Sequence, residues 1–403
     1  MLIKVAWRNI WRHKMRSMVI MLSVLFGLWA GLFMQAYLNG VVEERVRIAI
    51  AKELSHIQIH HPEFRKEFDA RYPVDKGPEV MKEIARMSEV AAVSGRVIGK
   101  GMIATATGSA GIRINGVDPS QEDSVTHISQ NIIEGNYFTP GSKNEILVGE
   151  RLLKKLKLKR NSKVILTLLD KDNNITSGAF RIKGVYKTQN TPYDEANAFV
   201  KRNDLAALLN TNDGIHEIAV LLKSNEALGP VAERIKAAYP LVKTETWMEV
   251  SPEMDLVVST MGQSLWIYMS IIMLALAFGI INTMLMAVLE RTREIGMLMA
   301  LGMSKGRLFT MILLETLFLV FIGTPLGMLA GFFTAYYLGS HGIDMSAYKE
   351  VYESFGFGEI IYPKLNPQDY YTVLELVIIT AVVSSLFPAR KALSLNPSEA
   401  IRK

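Results

Sequence analysis

The sequence predicts an α-helical membrane protein with four transmembrane helices and a large extracytoplasmic α/β (α+β) domain between the first two spans. Three observations predict it. Four apolar runs reach bilayer length. A long stretch of mixed helix and strand patterning separates the first run from the second, and net positive charge gathers in three short stretches beside the runs. A hydrophobic content of 49% over 403 residues is too high for a purely soluble chain carrying 21% charged residues.

Residues 1–17 come first. Ile3, Trp7, Trp11 and Met15 recur every fourth position, and Lys4, Arg8, Arg12 and Arg16 form a neighbouring basic row. This is the pattern of an interfacial helix, with tryptophans at headgroup depth and cations toward phosphate or water. A protein partner could share the same surface, and Trp7, Arg8, Trp11 and Arg12 are its candidate contacts.

The first span, 18–38, carries polar groups only at Ser23, Gln35 and Tyr37. A cleavable signal peptide is the alternative. The run exceeds the usual core of about 7 to 15 residues and no small-x-small site follows, so it reads as an uncleaved span.

Residues 39–260 change character to a mixed α/β domain, long enough to bury its own core or to split into two lobes. Residues 54–60 alternate as a strand and Pro62 ends it. "KVILTLLD" and "AFRIKGVYK" read as strands around the turn "KDNN". Residues 79–87, "ERLLKKLKL", "RNDLAALLN" and "NEALGPVAERIKAAY" read as helices, the last weakened by Gly229-Pro230.

The second span, 261–289, contains no charge in its apolar part, and 290–308 follows as a polar connection. Within it, Glu290 with Arg293 and Arg291 with Glu294 sit three apart, as in a water-exposed helical turn. Ile295, Leu298, Met299 and Gly302 continue as a short amphipathic helix. Gly302 suits the left-handed position after a helix, and Ser304 suits the cap of the next. An apolar stripe exposed to water there calls for a partner.

The third span, 309–338, holds Glu315, Pro325 and a small-residue stripe of Gly323, Gly327 and Gly331. That stripe is compatible with contact between two copies or with packing inside one. Glu315 reads as half of a structural pair near the rim rather than a proton relay. Residues 339–368 read as a short periplasmic connector, with a rim for a lateral opening as the alternative. The weakest span, 369–388, contains Glu375, and 389–403 form a tail.

Charge orients the chain. Residues 1–17 hold five basic and no acidic residues, 290–307 four and two, and the tail four and one. That is a net +10 against +6 for the whole chain, leaving −4 elsewhere. All three stretches should face the cytoplasm, with both termini inside and 39–260 outside. The basic balance does not indicate nucleic acid, since no recognition fold accompanies it. The chain has no cysteine, which excludes a structural disulfide, a thiolate zinc site and lipidation on cysteine.

"LERTREIGMLMALGMSKGRLFTMILLETLFLVFIGTPLGMLAG" resembles the FtsX-type permease domain of ABC transporters, and "FPARKALSLNPSEAIRK" resembles that family's closing motif. "WRNIWRHKMRS" is similar to its opening helix. "SHIQIHHPEF", "INGVDP" and "EILVGERLLKKLKLKRNSKVIL" are similar to the outer domains of the lipoprotein-releasing permeases LolC and LolE, and the broader MacB group shares parts of them.

The resemblance implies a MacB-like (type VII) ABC permease of the bacterial inner membrane that pairs with a second copy or a paralogue and binds a cytoplasmic ABC ATPase dimer. It places Arg291, Arg293, Glu294, Ile295, Gly296, Ala300, Leu301 and Gly302 in or beside the coupling helix. Pro388, Ala389, Arg390, Pro397, Ala400 and Ile401 would belong to the C-terminal cytoplasmic motif. The resemblance also implies two lobes within 39–260, divided near 110 and 215.

This chain itself is expected to bind no cofactor and to perform no catalysis, with ATP and magnesium held by a separate ATPase. The nearest string to a phosphate-binding loop, "GRVIGKG" at 95–101, is one residue short and lacks the closing hydroxyl. His56 and His60 share a strand face and read as surface histidines rather than a metal pair, because no ligand set is complete. No nucleophile-base pair or paired carboxylates suggest an enzyme.

The implied function is mechanotransmission: ATP closes the ATPases, the coupling helices move, and the outer domain works on a substrate already outside. Lipoprotein release is the first expectation. MacB-like efflux of drugs or peptides, or FtsX-like regulation of a periplasmic partner, are the alternatives.

Overall fold

The computed structural model describes residues 2–12, 14–106, 108–211 and 214–394. Pro397, Ala400 and Ile401 therefore lie outside the described residues. The chain divides into two compact units. The first comprises 1–42, 258–344 and 360–403, and the second 43–257 and 345–359.

The first unit is helical. An N-terminal helix, Leu2–Arg12, precedes the first long helix, Lys14–Ala49. The second long helix is Pro252–Glu290, a short helix Thr292–Ala300 follows, and the third and fourth long helices are Lys305–His341 and Pro367–Leu393. All four long helices are long and apolar enough to cross a membrane. Each extends beyond its apolar run. The first continues from Leu38 through the charged "VEERVR" at 42–47, because Glu and Arg are good helix formers. Hydropathy marks the membrane-length portion of a helix and not its ends.

A core of Val24, Leu28, Ile280, Leu308, Ile312, Leu319, Val373 and Val377 joins these helices. The glycine stripe of the third helix packs inside the chain. A Cβ at Gly323 or Gly327 would lie 3.0 Å from the carbonyl oxygens of Met21 and Leu25, and one at Gly331 2.7 Å from Leu32. The stripe thus lets the backbones of the first and third helices approach closely. Trp29 Nε1 donates to Thr334 Oγ1 at 3.0 Å along the same seam.

The second unit carries a ten-stranded sheet in the order β10-β1-β9-β2-β3-β8-β5-β7-β4, with β6 pairing both β2 and β7. The strands are β1 (Ile57–His60), β2 (Val90–Ala104), β3 (Ser109–Val117), β4 (Ile132–Gly135), β5 (Glu145–Gly149), β6 (Lys163–Leu169), β7 (Ile175–Tyr186), β8 (Asn197–Lys201), β9 (Glu217–Leu222) and β10 (Lys243–Thr246). Through β6, the strands β2, β3, β8, β5 and β7 close into a six-stranded ring. Its interior is filled by alternating residues such as Val164, Leu166 and Leu168 of β6 and Phe180 and Ile182 of β7.

The fifteen-residue β2 serves two neighbourhoods. Residues 90–96 pair with β9, and 101–104 pair with β6. One sheet therefore runs through the unit. Residue 110 lies inside β3 and 215 just before β9, so the lobe divisions expected there do not appear as breaks. The string at 95–101 that approximates a phosphate-binding loop lies within β2.

Arg96 on β2 is buried, and its guanidinium meets Glu122 at 2.7 Å and Glu217 at 2.8 Å, while Arg113 reaches Glu217 at 2.9 Å. Burial pushes the Glu217 carboxyl up, but Arg113 and Arg96 hold it down at about 2.

The two strand histidines are buried, which corrects the surface reading. His60 Nε2 lies 2.7 Å from Glu245, and His56 Nδ1 accepts from the Leu222 N–H at 3.1 Å. Alternation failed as a guide here because β1 lies between β10 and β9 and all four of its residues are buried.

Candidate functional site: a polar junction at the short connecting helix

The helix Thr292–Ala300 forms because its apolar residues follow helical spacing, with Ile295 and Gly296 buried. It ends in a Schellman motif. The Met303 N–H donates to Leu298 O at 3.0 Å, and the Gly302 N–H to Met299 O at 3.1 Å. Gly302 takes φ +94°, where a side chain would be strained. Ser304 occupies the cap position of the third long helix, but its side chain makes no capping hydrogen bond; its carbonyl accepts from Leu308 N–H at 3.1 Å.

Around this helix, charged groups from four helices converge. Arg12 of the N-terminal helix meets Glu294 at 3.0 Å, and Arg16 of the first long helix forms an ion pair with Glu290. Arg291 donates to Glu294 at 3.0 Å and to Glu315 of the third long helix at 3.3 Å. Asn9 Nδ2 donates to the same Glu315 oxygen at 2.5 Å. Glu315 is buried, so these partners satisfy a carboxylate that would be costly alone. A cavity of about 30 Å³ lined by Asn9, Arg16, Arg291 and Glu315 leaves room for one water molecule.

The expected row of basic residues is therefore partly committed to protein partners. Trp7 and Trp11 remain about half exposed, and Trp7 packs edge-on against Phe318 at 5.6 Å. The expected turn pair Arg291–Glu294 is formed, whereas Glu290 pairs with Arg16.

Beside the junction lies an apolar groove of about 700 Å³ lined by Ile3, Val5, Leu298, Leu301, Met303 and Leu314, with Arg307 at its margin. Leu301 is 85% exposed on this face. Gly296, Ala300 and Arg293 lie on or next to the same short helix, and Pro388, Ala389 and Arg390 lie in the last turns of the fourth long helix, Pro388 and Ala389 buried.

A second polar junction closes the opposite end of this unit. Asp369 accepts from Gln35 at 3.1 Å and Asn39 at 2.9 Å, both on the first long helix, and caps its own helix through the Asn366 N–H at 2.7 Å. Sequence reasoning did not find Asn9, Asn39 or Asp369, and it read Arg16 only as part of a basic row and Gln35 only as a polar group in an apolar run. The single signal was polarity inside or beside an apolar run, which names a residue but not its partner across some 300 positions of sequence.

Comparison with known proteins finds two family regions in the chain. Residues 17–238, more than half of the chain, match the family model for a MacB-like periplasmic core domain, and 266–397 match that for an FtsX-like permease C-terminal region. The lipoprotein-releasing system transmembrane protein LolC of Neisseria meningitidis is 20% identical over 412 residues, covering 96% of this chain and 94% of that protein. An uncharacterized ABC transporter permease of Methanocaldococcus jannaschii is 28% identical over 230 residues, and the chain spans 55% of the length of that relative. The crystal structure of the periplasmic region of MacB from Actinobacillus actinomycetemcomitans aligns with TM-score 0.36 and 13% identity over 54% of this chain and 97% of that one. The chain belongs to the FtsX/MacB-type ABC transporter permease family.

Proposed function

We propose that this permease couples ATP hydrolysis on a separate cytoplasmic ATPase dimer to release of lipoproteins from the inner membrane. The observation that carries the coupling half is the junction itself. The helix 292–300 is tied by Arg12–Glu294 to the N-terminal helix and by Arg291–Glu315 to the third long helix. A force applied at Thr292–Ala300 therefore reaches several helices at once. The neighbouring groove supplies an apolar seat for the ATPase, with Leu301 as an exposed anchor. The basic stretches beside it support a cytoplasmic position for this end.

In this reading the chain forms a dimer with a copy of itself or a paralogue. ATP closes the ATPases and draws the two short helices together. The first and second long helices, which carry the chain into the MacB-like domain, convey the displacement to a substrate already outside. No reacting side chain in this chain is required. The lipoprotein half is supported by the alignment to LolC, which extends over nearly all of both chains. The match to the MacB-like core favours a second reading, export of small molecules or peptides.

Reconstitution separates them. The permease with its ATPase, in nanodiscs carrying a triacylated lipoprotein, should discharge that lipoprotein to a soluble acceptor only when ATP is hydrolysed. ATPase activity stimulated by a drug or peptide and indifferent to the lipoprotein would move the assignment to efflux.

A further inference from the structure

The short segment between the third and fourth long helices has two unlike faces. Its helix, Lys349–Ser354, follows a 3₁₀ turn at Ser346–Tyr348. Tyr348, Val351 and Phe355 are 64%, 57% and 68% exposed, and their spacing of three and four residues puts them on one side. Glu353, on the other side, is buried, pairs with Lys187 at 2.8 Å and lies 3.8 Å from Lys349, which also pairs with Glu359.

The helix end is built to keep Phe355 outward. The Phe357 N–H donates to Tyr352 O at 2.9 Å and the Gly356 N–H to Glu353 O at 3.2 Å, with Gly356 at φ +76°. This is a Schellman motif. Its customary apolar contact is made by Tyr352 and Phe357, whose rings are 6.1 Å apart, so Phe355 is not used to close the turn. One face is thus pinned by ion pairs while three large apolar side chains are held out by a fixed backbone.

Chain connectivity selects what covers them. Tyr348 follows the third membrane-length helix, which ends at His341, by seven residues, and Phe355 precedes the fourth, beginning at Pro367, by twelve. Seven extended residues reach about 25 Å at most, and a headgroup layer is about 5 to 8 Å thick on each side, so this tether keeps Tyr348 within reach of the interface. Exposed Tyr336, Tyr337 and Tyr371 lie at the adjoining ends of those two helices, as in an interfacial aromatic belt.

We propose that Tyr348, Val351 and Phe355 form a lipid-docking face that enters the bilayer interface on the side of the MacB-like domain. The segment 345–359 holds three glutamates and one lysine, so its attraction to the surface is apolar and not electrostatic. The inference requires the long helices to cross a bilayer and is independent of what the transporter carries.

The cysteine-free sequence permits a direct test. Val351→Cys, and Glu350→Cys on the polar side as reference, are labelled with an environment-sensitive fluorophore in full-length protein in nanodiscs. Lipids carrying a spin-label quencher near the headgroup or deep in the acyl chain are compared. The label at 351 should be quenched at least threefold more than that at 350, more strongly by the shallow quencher, and equally in zwitterionic and anionic discs. Equal quenching at both positions overturns the proposal. So does a label at 351 shielded from both quenchers until the permease dimer is dissociated, which would assign the face to a protein neighbour. Oxygen accessibility of a spin label at Phe355→Cys provides a second reading. An aqueous profile there also overturns it.

Discussion

Asp369 at the start of the fourth long helix holds Asn39 near the end of the first apolar run through a 2.9 Å hydrogen bond, and Gln35 one turn earlier through another of 3.1 Å. The same carboxylate caps its own helix. The Arg12–Glu294 pair binds the opposite end of the unit. Asp369→Ala removes the shared acceptor of two cross-helix donors and a cap, and should cost about 2 kcal/mol. Asp369→Asn should cost less. Thermal unfolding of the detergent-purified permease measures both. The coupling reading further expects the ATPase to keep turning over while transport falls, and transport in proportion to ATP hydrolysis would show that this junction has no mechanical role.

The Arg12–Glu294 pair is partly exposed, so its effect on stability should stay below about 1 kcal/mol. Its effect on coupling should be larger. Glu294→Arg places like charges together and also abandons Arg291. The double reversal R12E/E294R should recover part of the lost transport. Failure of any recovery, with ATPase binding weakened in both variants, would assign Glu294 to the partner interface instead.

Gly302→Ala forces a Cβ into φ +94°, at a cost of about 1 kcal/mol. The substituted methyl meets nothing within 4 Å, so the effect is conformational and not steric. Reduced capture of the ATPase by this variant, with normal membrane insertion, is the expected outcome, and binding assays on solubilised membranes report it.

Glu217→Ala leaves Arg96 with Glu122 alone and Arg113 without a carboxylate in a largely buried network, and should destabilise the MacB-like domain by about 3 kcal/mol. Limited proteolysis of the full chain should then cut the domain at protease concentrations that leave the parent intact.

His56 gives a pH dependence. Burial lowers its imidazole to about 4, below its usual value, and its Nδ1 accepts a backbone hydrogen bond only when unprotonated. The unfolded chain binds the proton first, so stability falls as pH drops from about 6.5 toward 4. His56→Gln should flatten that limb of a melting-temperature profile, and an unchanged slope would place the acid sensitivity elsewhere. Asp194 works in the opposite sense. Burial raises its carboxyl to about 7, so its contribution is lost as pH rises from the ordinary carboxylate range to neutrality.

Much of the architecture was legible because local chemistry dictates it. Long apolar runs name the membrane helices, and Gly302 announced a helix end that the structure realises with its left-handed backbone. What stayed hidden depends on distant partners. The burial of His60 arises because β1 lies between β9 and β10, where Glu245, 185 positions away, satisfies its ring, and Glu315 could be recognised as half of a pair without Asn9 or Arg291 being identifiable. Ser304 shows the converse: the right residue type at a cap position, with its hydroxyl unused for capping.

The ring closed by β6 has one further consequence. Among the described residues, the outermost strands of the ten-stranded sheet are β10 and β4, each four residues long. Unpaired backbone is what lets an extended polypeptide add itself as another strand, and short borders blunt that capture. A domain whose sheet is mostly wrapped onto itself can brush against unfolded or extended chains repeatedly and let them go.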